Sequence, residues 1–168
     1  MSDPAMPDPL TSATPVTVSA PHFTENIFAI LSETFRKTIG IYLDKGADFA
    51  STLSGLSAED ASRSVLGTTI AAQVYHTAYY VQAMDRYFEG FDGKTDWDES
   101  WTVKTVDPEE WDALRTKLQS DYEQAVRKLQ TVTDWGEDAL DYAMMVAIHS
   151  AYHLGSVRQL VKAVEEEK

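Results

Sequence analysis

The stretch Tyr142-Ala-Met-Met-Val-Ala-Ile-His149-Ser-Ala-Tyr-His153-Leu-Gly-Ser-Val-Arg-Gln-Leu160 decides how the chain reads. Its apolar positions recur at helical spacing: Tyr142, Met145, Val146, Val157 and Leu160 fall on one stripe with Ser156. His149 and His153 are four residues apart, so on a helix they point the same way, one turn above the other. Two imidazoles on a core-facing stripe need partners, because burial without one is costly. A metal ion would satisfy both, and it asks for at least a third protein ligand. The chain has four histidines. His76 lies on a second amphipathic stretch, and His22 falls before the first.

Working outward, the stretch belongs to a helix running from a cap at Asp134, with Glu137 completing the capping box, to about Val164. Glu165-Glu-Glu167 sets like charge against the dipole at its end, and fraying is expected there. A helix before it has the clearest start in the chain: Asp107 caps, Pro108 takes the first position and Glu110 completes the box. Trp111, Leu114, Leu118, Tyr122, Ala125 and Leu129 form its buried stripe. The helix carrying His76 is expected from about Ser64 to Glu89, with Leu66, Thr69, Ile70, Gln73, His76, Thr77, Tyr80, Ala83, Met84 and Tyr87 facing inward. Gly90 and Gly93 end it. The first helix is expected to start with Thr24 as cap and Phe23 and Phe28 as a hydrophobic staple. Ile27, Leu31, Phe35, Ile39, Tyr42 and Leu43 continue it, and the pattern can run on to Leu53 despite Gly40 and Gly46.

Four amphipathic helices describe an all-α four-helix bundle. The connection from Phe91 to Val106 has no clean period and carries Trp97 and Trp101. Its length allows a crossover along the whole bundle, and such connections tend to be functional. Residues 1–22 hold five of the six prolines and read as a flexible arm before a bundle spanning 23–168.

Composition narrows the function. At 168 residues, 43% of them apolar, the chain can bury one core. A formal net charge of -13 argues against nucleic acid, which needs a basic surface. No apolar run approaches the ~20 residues that span a bilayer. There is no secretory-signal pattern, so the expected location is the cytoplasm; there is also no cysteine, which by itself does not fix the compartment. Without cysteine, thiolate ligands and a cysteine nucleophile are excluded.

The candidate constellation is therefore His76 with His149 and His153. Three imidazoles suit Zn, Ni, Fe or Cu rather than Mg or Ca, and three protein ligands leave room for water or substrate. A single inward histidine reads equally as a hydrogen-bonded core residue. Gln73, Tyr80, Tyr142 and Ser156 are candidates to orient an imidazole or to line a pocket. They read equally as satisfied polar residues of a bundle. Trp97, Trp101 and Trp111 could line an apolar pocket or simply pack in loop and core. His149 is followed by Ser150, so the general-base glutamate of HExxH is missing.

Ala72-Gln-Val-Tyr-His76-Thr-Ala-Tyr-Tyr80, followed by His149-Ser-Ala-Tyr-His153-Leu-Gly-Ser-Val-Arg-Gln159, resembles the DinB/YfiT-like superfamily over about residues 23–164. The resemblance implies up-down-down-up connectivity with a long crossover between the second and third helices. It implies a divalent metal, Zn or Ni first and Fe or Mn next, on His76, His149 and His153, and a homodimer. It further implies chemistry on a small molecule: transfer of a low-molecular-weight thiol to an electrophile, or isomerisation of a thiol adduct; a metal-bound water acting as nucleophile would give hydrolysis instead. Ser156 stands where many members carry glutamine. The rival expectation is a non-enzymatic, stress-related bundle whose metal is structural.

Overall fold

The computed structural model describes residues 19–168. The expected arm, apart from its last four residues, lies outside them. Six α-helices follow in order: α1 (Ala20–Phe35), α2 (Phe49–Leu53), α3 (Ala58–Ser62), α4 (Ile70–Phe88), α5 (Pro108–Gln130) and α6 (Glu137–Glu166), with one 3-10 turn, Glu99–Trp101, between α4 and α5. Among the described residues there is no β-strand, only an isolated bridge between Val65 and Thr68. No described helix is long and apolar enough to cross a membrane.

Four helices are long, and each packs on two of the others: α4 on α5 and α6, α1 on α6 and α5. Their inward stripes make one core. Leu31, Phe35, Ile70, Val74, Val81, Trp111, Leu129, Val146, Leu154 and Val157 are almost fully buried. Each such side chain contributes roughly 1.5–3 kcal/mol through removal from water. Phe35 stacks on Tyr122, with ring centroids 4.7 Å apart, and lies 5.5 Å from Phe49, which ties α1, α2 and α5 together.

The helix boundaries follow capping chemistry, and several differ from the periodicity. The Asp107–Glu110 capping box of α5 forms as expected. Thr24 does not cap α1. The helix starts at Ala20 with Pro21 in its first turn, and Thr24 Oγ1 donates to the Pro21 carbonyl at 2.9 Å. Phe23 and Phe28 instead both meet the edge of Trp135, at 6.0 and 6.1 Å.

The first helix also stops at Phe35 rather than continuing through Tyr42, and the cause is a buried carboxylate. Glu33 Oε1 accepts from the backbone N–H groups of Ile39, Gly40 and Ile41, and Oε2 from those of Ile41 and Tyr42, at 2.6–3.0 Å. A fully buried Glu side chain that finds its donors in the following loop holds that loop out of helix. Gly40, at φ 89, makes the required turn. Ile39 and Tyr42 are consequently exposed, although their spacing reads as core.

Before α4, Val65 and Thr68 exchange backbone hydrogen bonds of 3.0 and 3.1 Å around Leu66 and Gly67, both at positive φ. This tight turn delays the helix from Ser64 to Ile70 and leaves Leu66 80% exposed rather than in the core. Thr69 becomes the cap: its Oγ1 accepts from Ala72 N–H at 3.0 Å and donates to the Lys104 carbonyl at 2.8 Å. The second of these bonds ties down the α4–α5 connection. On α6, Gly136 rather than Asp134 holds the cap position, and the helix runs to Glu166 without ending at Val164.

Candidate metal centre

α4 and α6 lie side by side, and their facing stripes bring His76 and the His149/His153 pair together. One ligating nitrogen from each imidazole lies within 4.8 Å of the other two. His76 Nε2 stands 3.1 Å from His149 Nε2. Two nitrogens held ~2.1 Å from one ion in tetrahedral geometry are about 3.4 Å apart, so this pair is already close to ligand spacing.

The hydrogen bonds behind the rings fix which nitrogen is bare. Ser100 Oγ donates its only proton to the Trp97 carbonyl at 2.6 Å. It must therefore accept from His76 Nδ1, 2.8 Å away. With Nδ1 protonated, the neutral ring of His76 presents a lone pair at Nε2. His153 Nδ1 likewise donates to Gln73 Oε1 at 2.7 Å and leaves its own Nε2 bare. This is the arrangement in which an outer hydrogen bond sets tautomer and ring orientation for a metal ligand.

Electrostatics favours the neutral rings. Burial lowers the His153 pKa to about 3, with the neighbouring His149 and His76 charges adding to it. Burial lowers His149 to about 4, with His76 adding to it, and burial alone lowers His76. A set of neutral imidazole donors without a carboxylate suits a transition metal over Mg or Ca, and these three residues could hold such an ion.

Aromatic faces clamp two of the rings. Trp101 lies parallel to His76 at 3.9 Å and Tyr80 parallel to His149 at 3.5 Å. Trp97 in turn meets Tyr80 at 5.7 Å. The long connection therefore covers the centre with Trp97, Ser100 and Trp101. It is anchored there by Tyr79, whose hydroxyl donates to the Asp96 carbonyl at 2.8 Å.

Of the candidates named from sequence, Gln73 and Tyr80 stand against the histidines. Tyr142 and Ser156 do not. Tyr142 lies two turns before His149 along α6, toward the C-terminal end of α4, where its hydroxyl donates to Asp85 Oδ1 at 2.9 Å and its ring stacks on Phe88 at 4.7 Å. Ser156 bonds only the Tyr152 carbonyl of its own helix. Met145, placed on the core stripe from spacing, is 45% exposed. Trp111 is core, its Nε1 donating to the Leu56 carbonyl at 2.9 Å. His22 lies exposed in the first turn of α1 and takes no part. Ser100 was not legible from sequence: a serine in an aperiodic loop carries no signal of its own, and only the length of that loop pointed there.

Comparison of the chain with family models, curated proteins and solved structures finds no match.

Proposed function

We propose that the chain is a metal-dependent protein of the DinB/YfiT-like kind, an up-down-down-up four-helix bundle that uses a divalent ion on His76, His149 and His153 to act on a small molecule. The observation that carries this reading is the pair of bare Nε2 atoms enforced by Ser100 and Gln73. A core histidine also needs a partner, but here the partners sit behind the rings while three imidazoles bring one ligating nitrogen each within 4.8 Å of the others. Zn or Ni fits this donor set first, with Fe or Mn as further occupants. When bound, the ion would supply Lewis acidity, lowering the pKa of a thiol or water beside it and so favouring attack on an electrophile. Any thiol must come from a cosubstrate, since the chain has no cysteine.

This chain's own residues do the positioning. Gln73 and Ser100 orient the imidazoles, Trp101 and Tyr80 exclude water from their faces, and the crossover screens the centre from one side. An enzyme is favoured over a purely structural metal site because a cavity of about 380 Å³ opens on His149. A structural site would be closed. We further infer a homodimer, on the resemblance and on symmetric pairing being the common form of assembly, and a cytoplasmic location, on the sequence pattern.

The test is metal content of the purified protein and titration with Zn and Ni, followed by a screen for thiol-transferase and hydrolase activity. His76→Ala, His149→Ala and His153→Ala should each abolish tight uptake of one equivalent. His76→Ala protein that binds one equivalent as tightly as the wild type would overturn the centre.

A further inference from the structure

The centre is reached from one side only slightly covered. His76 and His153 are buried, whereas His149 is half-buried, and the cavity that touches it lies along the outer face of α6. Its walls are Tyr80, Met144, Met145, Ile148 and Tyr152, with Asp141 at the rim. Met144, Met145, Ile148 and Tyr152 are 39–70% exposed, a run of large apolar side chains that folding alone does not use. Scattered exposed apolar residues need no explanation, but a contiguous set beside a candidate reaction centre does.

We propose that this cavity is the substrate pocket of the metal centre and that it takes an uncharged, apolar small molecule with an aromatic or branched alkyl body. The proposal rests on the metal reading for its chemistry but on the cavity itself for its ligand class. Among the described residues lining it there is no Lys or Arg, and the rim charge is a carboxylate. A negative charge on the body of the substrate, away from the ion, would find no cationic side chain along these walls, in a chain already at net charge -13. A cation would meet a dication at the far end of the pocket and, at the rim, only the exposed and therefore screened Asp141. Thioether side chains are polarisable and rotate freely, so two adjacent methionines fit aromatic ligands of varied outline. Tyr80, stacked on His149, and Tyr152 add aromatic rings to the lining. The volume admits a body of one or two fused rings beside the reacting group.

The pocket can be tested without turnover. The neutral dye 6-propionyl-2-(dimethylamino)naphthalene, added to metal-free protein, should brighten on binding. It should be displaced by 2-naphthylmethanol at least tenfold more effectively than by 2-naphthoate and, from zinc-loaded protein, at least tenfold more effectively than by 2-naphthylmethylammonium. Met145→Gln/Tyr152→Gln changes no charge and alters only exposed side chains, so the fold should survive. It should weaken dye binding at least tenfold and leave cobalt(II) affinity within twofold of wild type. Ile41→Gln, in the neighbouring groove on the α1 side, should change neither. Equal displacement by the charged naphthalenes, or undiminished dye binding in the double variant, would overturn the proposal. Wild-type protein that binds the dye as expected but takes up no cobalt would instead overturn the metal reading and leave the pocket standing.

Discussion

Ser100 Oγ sits 2.8 Å from His76 Nδ1 and hands its own proton to the Trp97 carbonyl at 2.6 Å, so it can only accept from the imidazole. A loop hydroxyl thereby decides that a helix histidine, twenty-four residues earlier in the chain, keeps its Nε2 lone pair for the centre. Ser100→Ala should weaken Zn uptake by about tenfold or more, within the 10–100-fold range usual for such outer partners. The melting temperature should fall by only a few degrees, because one hydrogen bond contributes ~1 kcal/mol. Competition titration against a chromophoric chelator measures the first effect. Wild-type affinity in the variant would show that the tautomer is set elsewhere.

Glu33 should make the fold acid-sensitive. Burial pushes its carboxyl up, but the N–H groups of Tyr42, Gly40, Ile41 and Ile39 outweigh that and hold it below the ordinary value of 4.5. A depressed folded pKa contributes stability that is present above the unfolded value and lost as pH falls through the folded one. Urea midpoints of the wild type should therefore hold steady from pH 7 down to about pH 5 and then decline. Glu33→Gln places an amide N–H against backbone donors, and it should cost roughly 3 kcal/mol at pH 7 and flatten part of the acid decline. A variant as stable as the wild type at pH 7 would contradict the role given to this carboxylate.

At the other end of α4, Asp85 gathers three helices. It accepts from Tyr142 at 2.9 Å and Gln124 at 2.8 Å, and pairs with Lys128 at 2.7 Å. Asp85→Ala leaves a buried tyrosine hydroxyl and a glutamine amide without their acceptor and should destabilise by about 3 kcal/mol. Metal affinity should be unchanged, since none of these groups touches the histidines. Loss of metal binding in a folded Asp85→Ala protein would mean that Tyr142 serves the centre after all.

Removing residues 1–18 should leave helix content and metal uptake as they are. The segment is rich in Pro, Ser and Thr and carries no apolar period to bury. A melting temperature lowered by more than ~5 °C, roughly one kcal/mol at this chain length, would count against that expectation.

Local rules written in the sequence were enough for the long helices, the α5 capping box and the grouping of His76 with His149 and His153. Helical periodicity and capping act between residues three or four apart, so they can be read without knowing the fold. The spacing of Ile39 and Tyr42 misled because a tertiary bond overrode it: Glu33 satisfies their amides from a distance, and a helix there would have left its carboxylate buried and unpaired. Leu66 misled because the backbone bonds of Val65 to Thr68 close a turn that apolar spacing does not register. Tyr142 and Ser156 lie seven residues before and after His149 on the same side of α6, but only the packing of α4 on α6 decides which level along that side meets His76. Ser100 and Trp101 belong to a segment with no period at all, and their place over His76 exists only once the connection is tied to Thr69 and Tyr79. The sequence by itself determined which side chains could bind a metal, because that is a property of residue type and helical spacing. Only the tertiary structure decided which nitrogens are bare, which face is open and what lines it, because those depend on contacts between residues far apart in the chain.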